Sequence, residues 1–300
     1  EMIKYYEDKK RDKTPPYAIF QAEESGTIIT LYESGKVMFQ GISADIDANM
    51  WRDMEAHLNN GNLPIENKKK EKKEKDEKEL YEERKKYFYI NSIGSDEVGT
   101  GDYFGPVVVT ASFVKKDDIE FLTELGVRDS KKLTDDKILK IVPEIIKKIP
   151  YETIVYSNKE YNSKKEFNMN KVKAILHNKA ILSLMKKDNY NYDKVIIDQF
   201  CYPRNYFGYL KESNNVFRRI TFTTKAEDKC LSVACSSLIS RYVFIKEMDK
   251  MSKMIGKKIP LGAGVNVDNF GRQLVKEKGK DILEDISKIN FKNTEKILNM

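Results

Sequence analysis

The chain has 300 residues, too many for one small domain and comfortable for two, one of which can bury a sizeable core. Its 54 Lys and Arg outnumber 47 Asp and Glu, and the net charge of +7 suits a polyanionic partner without naming one. No run approaches the roughly 20 apolar residues that span a bilayer, and no signal-peptide core opens the chain, so no membrane partner and a cytoplasmic location are expected. Three cysteines without a CxxC pair, and two histidines as far apart as His57 and His177, argue against structural zinc.

The first 65 residues read as a small α+β domain. The chain opens on Glu1 rather than Met, which leaves room for a preceding strand. Turn signals at Glu24-Ser25-Gly26 and Glu33-Ser34-Gly35 separate three strand-like runs, YAIFQAE, TIITLYE and KVMFQG, as in an antiparallel meander. In the following stretch, Ala44 to Leu58, Ile46, Met50, Met54 and Leu58 recur at helical spacing and are expected to cover one face of the sheet. From Lys68 to Lys86 ten basic and seven acidic side chains follow one another. Residues 66–86 therefore read as a charged inter-domain linker, with Glu-to-Lys spacings of four that would support a solvated helix.

From residue 87 to 300 long apolar strands alternate with helices, the pattern of an α/β domain with a central sheet flanked by helices. Strands are expected at Tyr87–Ile93, Pro106–Val114, KVIIDQF and RRITFTT. Helices are expected at Lys171–Lys187, from about Asp228 to Met251, and at Gly271–Ile286, before a polar, basic tail, INFKNTEKIL. Acidic side chains stand where apolar elements stop: Asp96 and Glu97 after the first of these strands, Asp198 inside VIIDQF, and Glu227 before the long helix. Four converging carboxylates repel one another and become favourable around divalent cations, and oxygen-only ligands select Mg2+ or Mn2+ over zinc. Two such ions are a known solution for phosphodiester hydrolysis. Glycines bracket the first acid pair in GSDEVGTGDYFGP, but strand rather than helix follows and no Gly-Lys-Ser/Thr is present, which disfavours a nucleotide cofactor.

These motifs resemble the type 2 ribonucleases H, and within them the HIII branch. The resemblance rests on GSDEVGTGDYFGPVVVTASFV, RDSKKLTD, HNKAI, VIIDQF and TTKAEDKCLSVACSSLISRY, and upstream on PPYAIFQAEESGTIITLYESGKVMFQG. It implies an RNase H-like fold and an Asp-Glu-Asp-Glu metal site on Asp96, Glu97, Asp198 and Glu227; the neighbour Asp228 falls one place past the Thr-Lys-Ala-Glu motif. The implied substrate is an RNA/DNA hybrid duplex, cut in its RNA strand to leave 5′-phosphate and 3′-hydroxyl ends. Asp96 would be shared by two ions, with Glu97 and Asp198 completing the one near the leaving oxygen and Glu227 the one that activates water.

By the same resemblance, backbone amides of Gly99, Thr100 and Gly101 test for ribose 2′-hydroxyls, the group that separates RNA from DNA. Asp129, Ser130, Lys131 and Lys132 form a phosphate-contacting loop, and Lys225 lies in the nucleic-acid motif. Thr100 replaces a residue that is usually basic in HII relatives, so long hybrids are expected to be better substrates than a single embedded ribonucleotide. The first domain resembles a TATA-box-binding-protein-like module whose free sheet face would hold the duplex through Tyr17, Lys36, Met38 and Gln40. Cys230 and Asn290 depart from the family, which more often has His at both places. A monomer without a required protein partner is expected. The alternatives are an HII-like enzyme specialised for ribonucleotide excision and a catalytically silent hybrid-binding protein.

Overall fold

The computed structural model describes residues 1–41, 44–58, 82, 86–127, 133–163 and 168–299. The predicted linker, residues 66–86, lies outside them except for residues 82 and 86, and Asp129, Ser130, Lys131 and Lys132 lie outside them altogether. The chain divides into two compact units, Glu1–Lys78 and Glu79–Met300.

In the first unit, β1 (Ala18–Glu24), β2 (Thr27–Tyr32) and β3 (Val37–Gly41) form an antiparallel sheet in sequence order. Side chains alternate across it. Phe20, Ala22 and Ile29 on one face meet Tyr6, which follows the short helix α1 (Met2–Tyr5), and Trp51 of α2 (Ala44–Leu58). The Trp51 indole donates to the Tyr6 hydroxyl at 2.9 Å, so the two largest rings also satisfy each other's polar atoms. The packed stripe of α2 differs from the expected one. Met50 and Met54 do pack on the sheet, but Ile46 is 71% exposed and, among the described side chains of the helix, which do not include Leu58, Trp51 is the buried one. A large aromatic one position from the Met stripe rotates the packed face toward itself.

The second unit is built on a five-stranded mixed sheet of order β6-β5-β4-β7-β8. It comprises β4 (Ser92–Val98), β5 (Val107–Val114), β6 (Tyr151–Tyr156), β7 (Lys194–Asp198) and β8 (Ile220–Thr223). β4, β5 and β6 run antiparallel; β7 and β8 continue the sheet parallel to β4. The helices, in chain order, are α3 (Ile119–Glu124), α4 (Asp135–Lys148), α5 (Asn158–Asn162), α6 (Met169–Met185), α7 (Pro203–Tyr209) and α8 (Ala226–Lys229). They continue with α9 (Leu231–Ile255), α10 (Val265–Lys278), α11 (Ile282–Ile286) and α12 (Lys292–Leu298).

β5 is buried on both faces. Val107, Val109, Ala111 and Phe113 pack with Ala174, Ile181 and Leu184 of α6, whereas Val114 joins α4 and α9 on the other side. Helix α9 crosses β4 and β5 at close range through small residues. Ser236 donates to the Gly94 carbonyl at 2.9 Å, Ser112 donates to the Ser232 carbonyl at 2.8 Å, and a Cβ on Gly94 would sit 2.2 Å from the Val233 amide nitrogen.

Several boundaries differ from the sequence expectation. The strand expected at Tyr87–Ile93 begins at Ser92, because Tyr87 packs inward against Ile196 and Val233 instead of pairing. Its ladder with β5 runs on to Val98, so Asp96 and Glu97 lie inside the strand rather than after it. The helix expected from about Asp228 is two helices, broken at Cys230, whose φ of −135° is extended. Gly279, at φ +84°, ends α10 and separates it from α11, and the tail expected to be polar ends as helix α12.

Candidate active site

β4 and β7 are parallel neighbours paired as far as Ser95 and Ile197, and one step beyond stand Asp96 and Asp198. Past β8, Lys225 adopts the left-handed conformation, φ 53° and ψ 46°, an uncommon state for a residue with a side chain. The turn it makes starts α8, brings Glu227 in, and lets the Ala226 amide donate to the Asp198 carboxylate at 2.9 Å.

The electrostatics show that the four acids share one place. Burial raises the Asp96 pKa well above the carboxylate range, and the charges of Glu97 and Glu227 push it further; hydrogen bonds from Ser237 and the Glu97 amide offset part of this. Asp198 is also raised, by burial first, against the Ala226 hydrogen bond, and then by Glu227 and Glu97. Glu97 behaves oppositely. Burial works against its charge, but the His177 hydrogen bond and the charges of His177 and Lys173 outweigh burial and bring it down to about 2.

The strand's alternation explains the split. Successive residues of β4 point to opposite faces. Asp96 goes to the α9 side, where Ser237 meets it, and Glu97 to the α6 side, where Lys173 and His177 stand one helical turn apart. His177 is fully buried, with Nε2 2.9 Å from Glu97 Oε2 and Nδ1 2.7 Å from Ser95 Oγ. Because the Ser95 hydroxyl donates to the Thr110 carbonyl at 2.8 Å, Nδ1 donates to Ser95 and Nε2 donates to Glu97. Phe200 stacks on the His177 ring at 5.5 Å and carries the Lys173 ammonium 4.1 Å above its face. Among the described residues no three acid, His or Cys side chains already stand at metal-holding distances, and Glu97 is turned to Lys173 and His177. The donor chemistry nevertheless fits hard divalent cations: clustered carboxylates whose charges oppose one another.

Of the residues expected to read the substrate, Gly99 is buried, with φ +93° and an ideal Cβ only 2.2 Å from the Pro106 carbonyl, so the fold itself requires glycine there. Gly101 is exposed and a Cβ there would meet nothing within 4 Å. Thr100 lies half-exposed between them. The loop is clamped from the C-terminal segment. Lys288, fully buried, donates through Nζ to the carbonyls of Asp102 and Gly105 at 2.8 and 2.5 Å, and burial lowers its pKa to about 7.

In the first unit Thr30 pairs with Met38 and Ile28 with Gln40, opposite in phase to the Ile29 and Phe39 pair that faces the core. Met38 and Gln40 therefore share the face turned away from Trp51. Lys36 is exposed just ahead of β3, and Tyr17, 80% exposed at φ 63°, stands apart on the turn before β1.

Sequence reasoning missed Lys173, His177 and Lys288. The signal for the first two was present: a Lys and a His four apart inside an apolar helix lie on one face, and a cation there needs an acid partner. The two departures from the family have local roles. Cys230 Sγ lies 3.4 Å from Ser92 Oγ, and Asn290 Oδ1 accepts from the Tyr161 hydroxyl at 2.8 Å.

A mixed five-stranded sheet flanked by helices, with acids on its adjacent central strands, defines the RNase H-like class. Residues 93–294 match the family model for ribonuclease HII, and residues 1–62 match a domain of unknown function, DUF3378. Ribonuclease HIII of Bacillus licheniformis is 43% identical over 93% of this chain and 88% of that protein, and that of Bacillus subtilis is 42% identical over 94% and 88%. The crystal structure of Bst-RNase HIII in complex with Mn2+ superposes with a TM-score of 0.71 at 34% identity, covering 99% of this chain and 94% of that one. The chain belongs to the ribonuclease HIII family and is an RNase H endonuclease.

Proposed function

We propose that the chain hydrolyses the RNA strand of RNA/DNA hybrids at Asp96, Glu97, Asp198 and Glu227, leaving 5′-phosphate and 3′-hydroxyl ends. The observation that carries this reading is the placing of Asp96 and Asp198 at the ends of the paired β4–β7 ladder, both raised by burial and, beyond that, by the charges of Glu97 and Glu227. Such a cluster costs stability unless cations neutralise it. Mg2+ or Mn2+ held by these four side chains would lower the pKa of an attacking water and stabilise the leaving oxygen. The residues of the chain supply orientation. Ala226 fixes the Asp198 carboxylate, Ser237 steadies Asp96, and Lys173 with His177 keep Glu97 ionised at neutral pH. The Mn2+ in the complex of Bst-RNase HIII supports the choice of ion.

Gly99, Thr100 and Gly101 read the 2′-hydroxyls, and the open space at Gly101 supports close approach of a minor groove. Ser130, Lys131, Lys132 and Lys225 contact phosphates. Residues 1–65 form a module that holds the duplex on the sheet face carrying Met38 and Gln40, with Tyr17 and Lys36 as further contacts beyond that face, and so raises its effective concentration. The test is cleavage of an all-ribose hybrid strand and of a duplex with one embedded ribonucleotide, each with Mg2+, Mn2+ or EDTA. Faster cleavage of the hybrid, dependent on either ion, is expected. Tight binding without cleavage under any ion would sink the proposal.

A further inference from the structure

The connection from β7 to β8 has a feature the four carboxylates do not use. It runs through α7 and a loop to β8, the edge strand of the sheet. Two adjoining hollows of about 750 and 500 Å³ lie along it and share Val216 and Arg218. Arg204, Lys211 and Arg218 line the first, and Lys186, Arg218 and Arg219 the second; neither lining contains an Asp or Glu. All five cations are exposed, and none forms an ion pair with a described carboxylate. Glu212, the acid within this loop, faces Lys171 at 3.4 Å instead.

Uncompensated cations in such a row repel one another, so the arrangement costs free energy until an anion covers it. The row is extended and open, which fits a repeating polyanion better than a single ion. Arginine forks match phosphate oxygens in pairs, and the Arg218 guanidinium is held 5.8 Å from the Phe207 ring centre, which limits its freedom in advance of binding. Phe207 also packs edge-on to Phe222 of β8 and to Tyr206, so the platform under Arg218 belongs to the core.

Resting on the hydrolase reading above, we propose that this edge is a second phosphate track, which takes the backbone of the substrate duplex outside the cleaved step. Arg204 is six residues from Asp198, a reach of at most about 20 Å for an extended chain. At about 3.4 Å per base step, that places the Arg204 end of the track within roughly six base pairs of the cut, and Arg218 and Arg219, ahead of Ile220 at the far end of the β7–β8 ladder from Asp198, carry it further away. A hybrid that extends past the cut on that side covers the track; one that stops short leaves it bare.

The test compares the wild-type protein with the Arg204→Gln/Lys211→Gln/Arg218→Gln/Arg219→Gln variant on two hybrids of shared central sequence, about 8 and about 24 base pairs long. The expected result is a KM for the long hybrid about tenfold higher at unchanged kcat, with the slope of log KM on log salt shallower by about one for each side chain that no longer meets a phosphate. The short hybrid is cleaved as by wild type, which shows that the fold and the catalytic reading stand. An Arg218→Lys/Arg219→Lys variant should keep most of the salt slope. Equal KM changes on both hybrids, or an unchanged salt slope on the long one, overturns the track while leaving cleavage itself intact. Anisotropy of the labelled long hybrid in EDTA gives the same comparison without turnover; no difference between wild type and the quadruple variant there also overturns it.

Discussion

Replacing His177 with Leu removes the donor that holds Glu97 ionised, and the loss can be sized in two ways. Glu97 is brought from 4.5 to about 2 by His177 and Lys173 together against burial, and a displacement of that size, about 3 kcal/mol, is an upper bound on the share of His177. Counted as hydrogen bonds, a charge-assisted contact is worth about 1.5–3 kcal/mol and the Ser95 contact about 1 kcal/mol, which lands in the same range. For a unit of this size each kcal/mol moves the melting temperature by roughly 2–4 °C, so His177→Leu is expected to melt lower by up to about 6–12 °C in EDTA at pH 7. The pH dependence has a definite sign. A carboxylate whose folded pKa is depressed stabilises above its unfolded value and loses that contribution as pH falls, so wild type should lose this increment between pH 4.5 and about 2. The variant should show less of that loss. Freed from its anchor, Glu97 should also bind a divalent ion about 10–100-fold more weakly, as do ligands stripped of an outer hydrogen bond. Thermal melts with and without Mn2+ measure both effects. A melting temperature within about 2 °C of wild type, with an unchanged acid limb, would refute the role given to His177.

Asp96→Asn should abolish hydrolysis yet raise the melting temperature of the metal-free protein, because the raised pKa of Asp96 means that its charge destabilises the fold at pH values above the ordinary 3.8. Retained cleavage, or a lower melting temperature in EDTA, contradicts this. Gly94→Ala drives a Cβ to 2.2 Å from the Val233 amide and 2.3 Å from the Ser232 carbonyl carbon. Overpacking of that kind costs about 1–3 kcal/mol, so a melting temperature at least about 3 °C lower is expected, with reduced kcat because α9 carries Ser237 and Ser240 to Asp96. Lys288→Met removes an amine whose pKa is lowered by burial to about 7 from 10.5. A depressed lysine gains stability as pH rises from its folded toward its unfolded value, so wild type should gain about 2 kcal/mol on the Met variant between pH 7 and 9; denaturant titrations at the two pH values check it.

The sequence carried the fold where a pattern is local. Alternation marked β1, β2 and β3, since one face of that sheet is buried, and the apolar run of KVIIDQF marked β7 because both faces of a central parallel strand are covered. It misled at Tyr87, where an apolar aromatic looks the same whether it pairs in a ladder or packs beneath one. Helix α4 carries Ile138, Ile141, Val142 and Ile145 at helical spacing under a Thr134 cap, a signal as clear as that of α6, yet it is not among the helices expected from the sequence. The acids themselves could be gathered from sequence because each interrupts or borders an apolar run, although Asp96 and Glu97 stand inside β4 and not after it. Their regulation could not. Glu97 is controlled by residues 76 and 80 positions away on another element, and Asp198 by an amide that points at it only because Lys225 is left-handed.

That difference bears on how the site works. β4 delivers two adjacent acids to opposite faces, and the fold treats them in opposite ways: Asp96 is left with like charges, while Glu97 is given a lysine ammonium and a histidine donor. A cluster with all four acids unpaired would strain the sheet edge; one with all four neutralised by protein would have no charge left for a metal. His177 opens the HNKAI motif and Lys173 lies one turn before it on the same helix, so the geometry gives that motif a physical reason: it holds Glu97 charged and oriented beside the other acids. If so, Lys173→Met and His177→Leu should weaken Mn2+ binding through Glu97 alone, and either change combined with Glu97→Gln should add little to the effect of Glu97→Gln by itself. Additive losses in that double-mutant cycle would place Lys173 and His177 in some other part of the reaction.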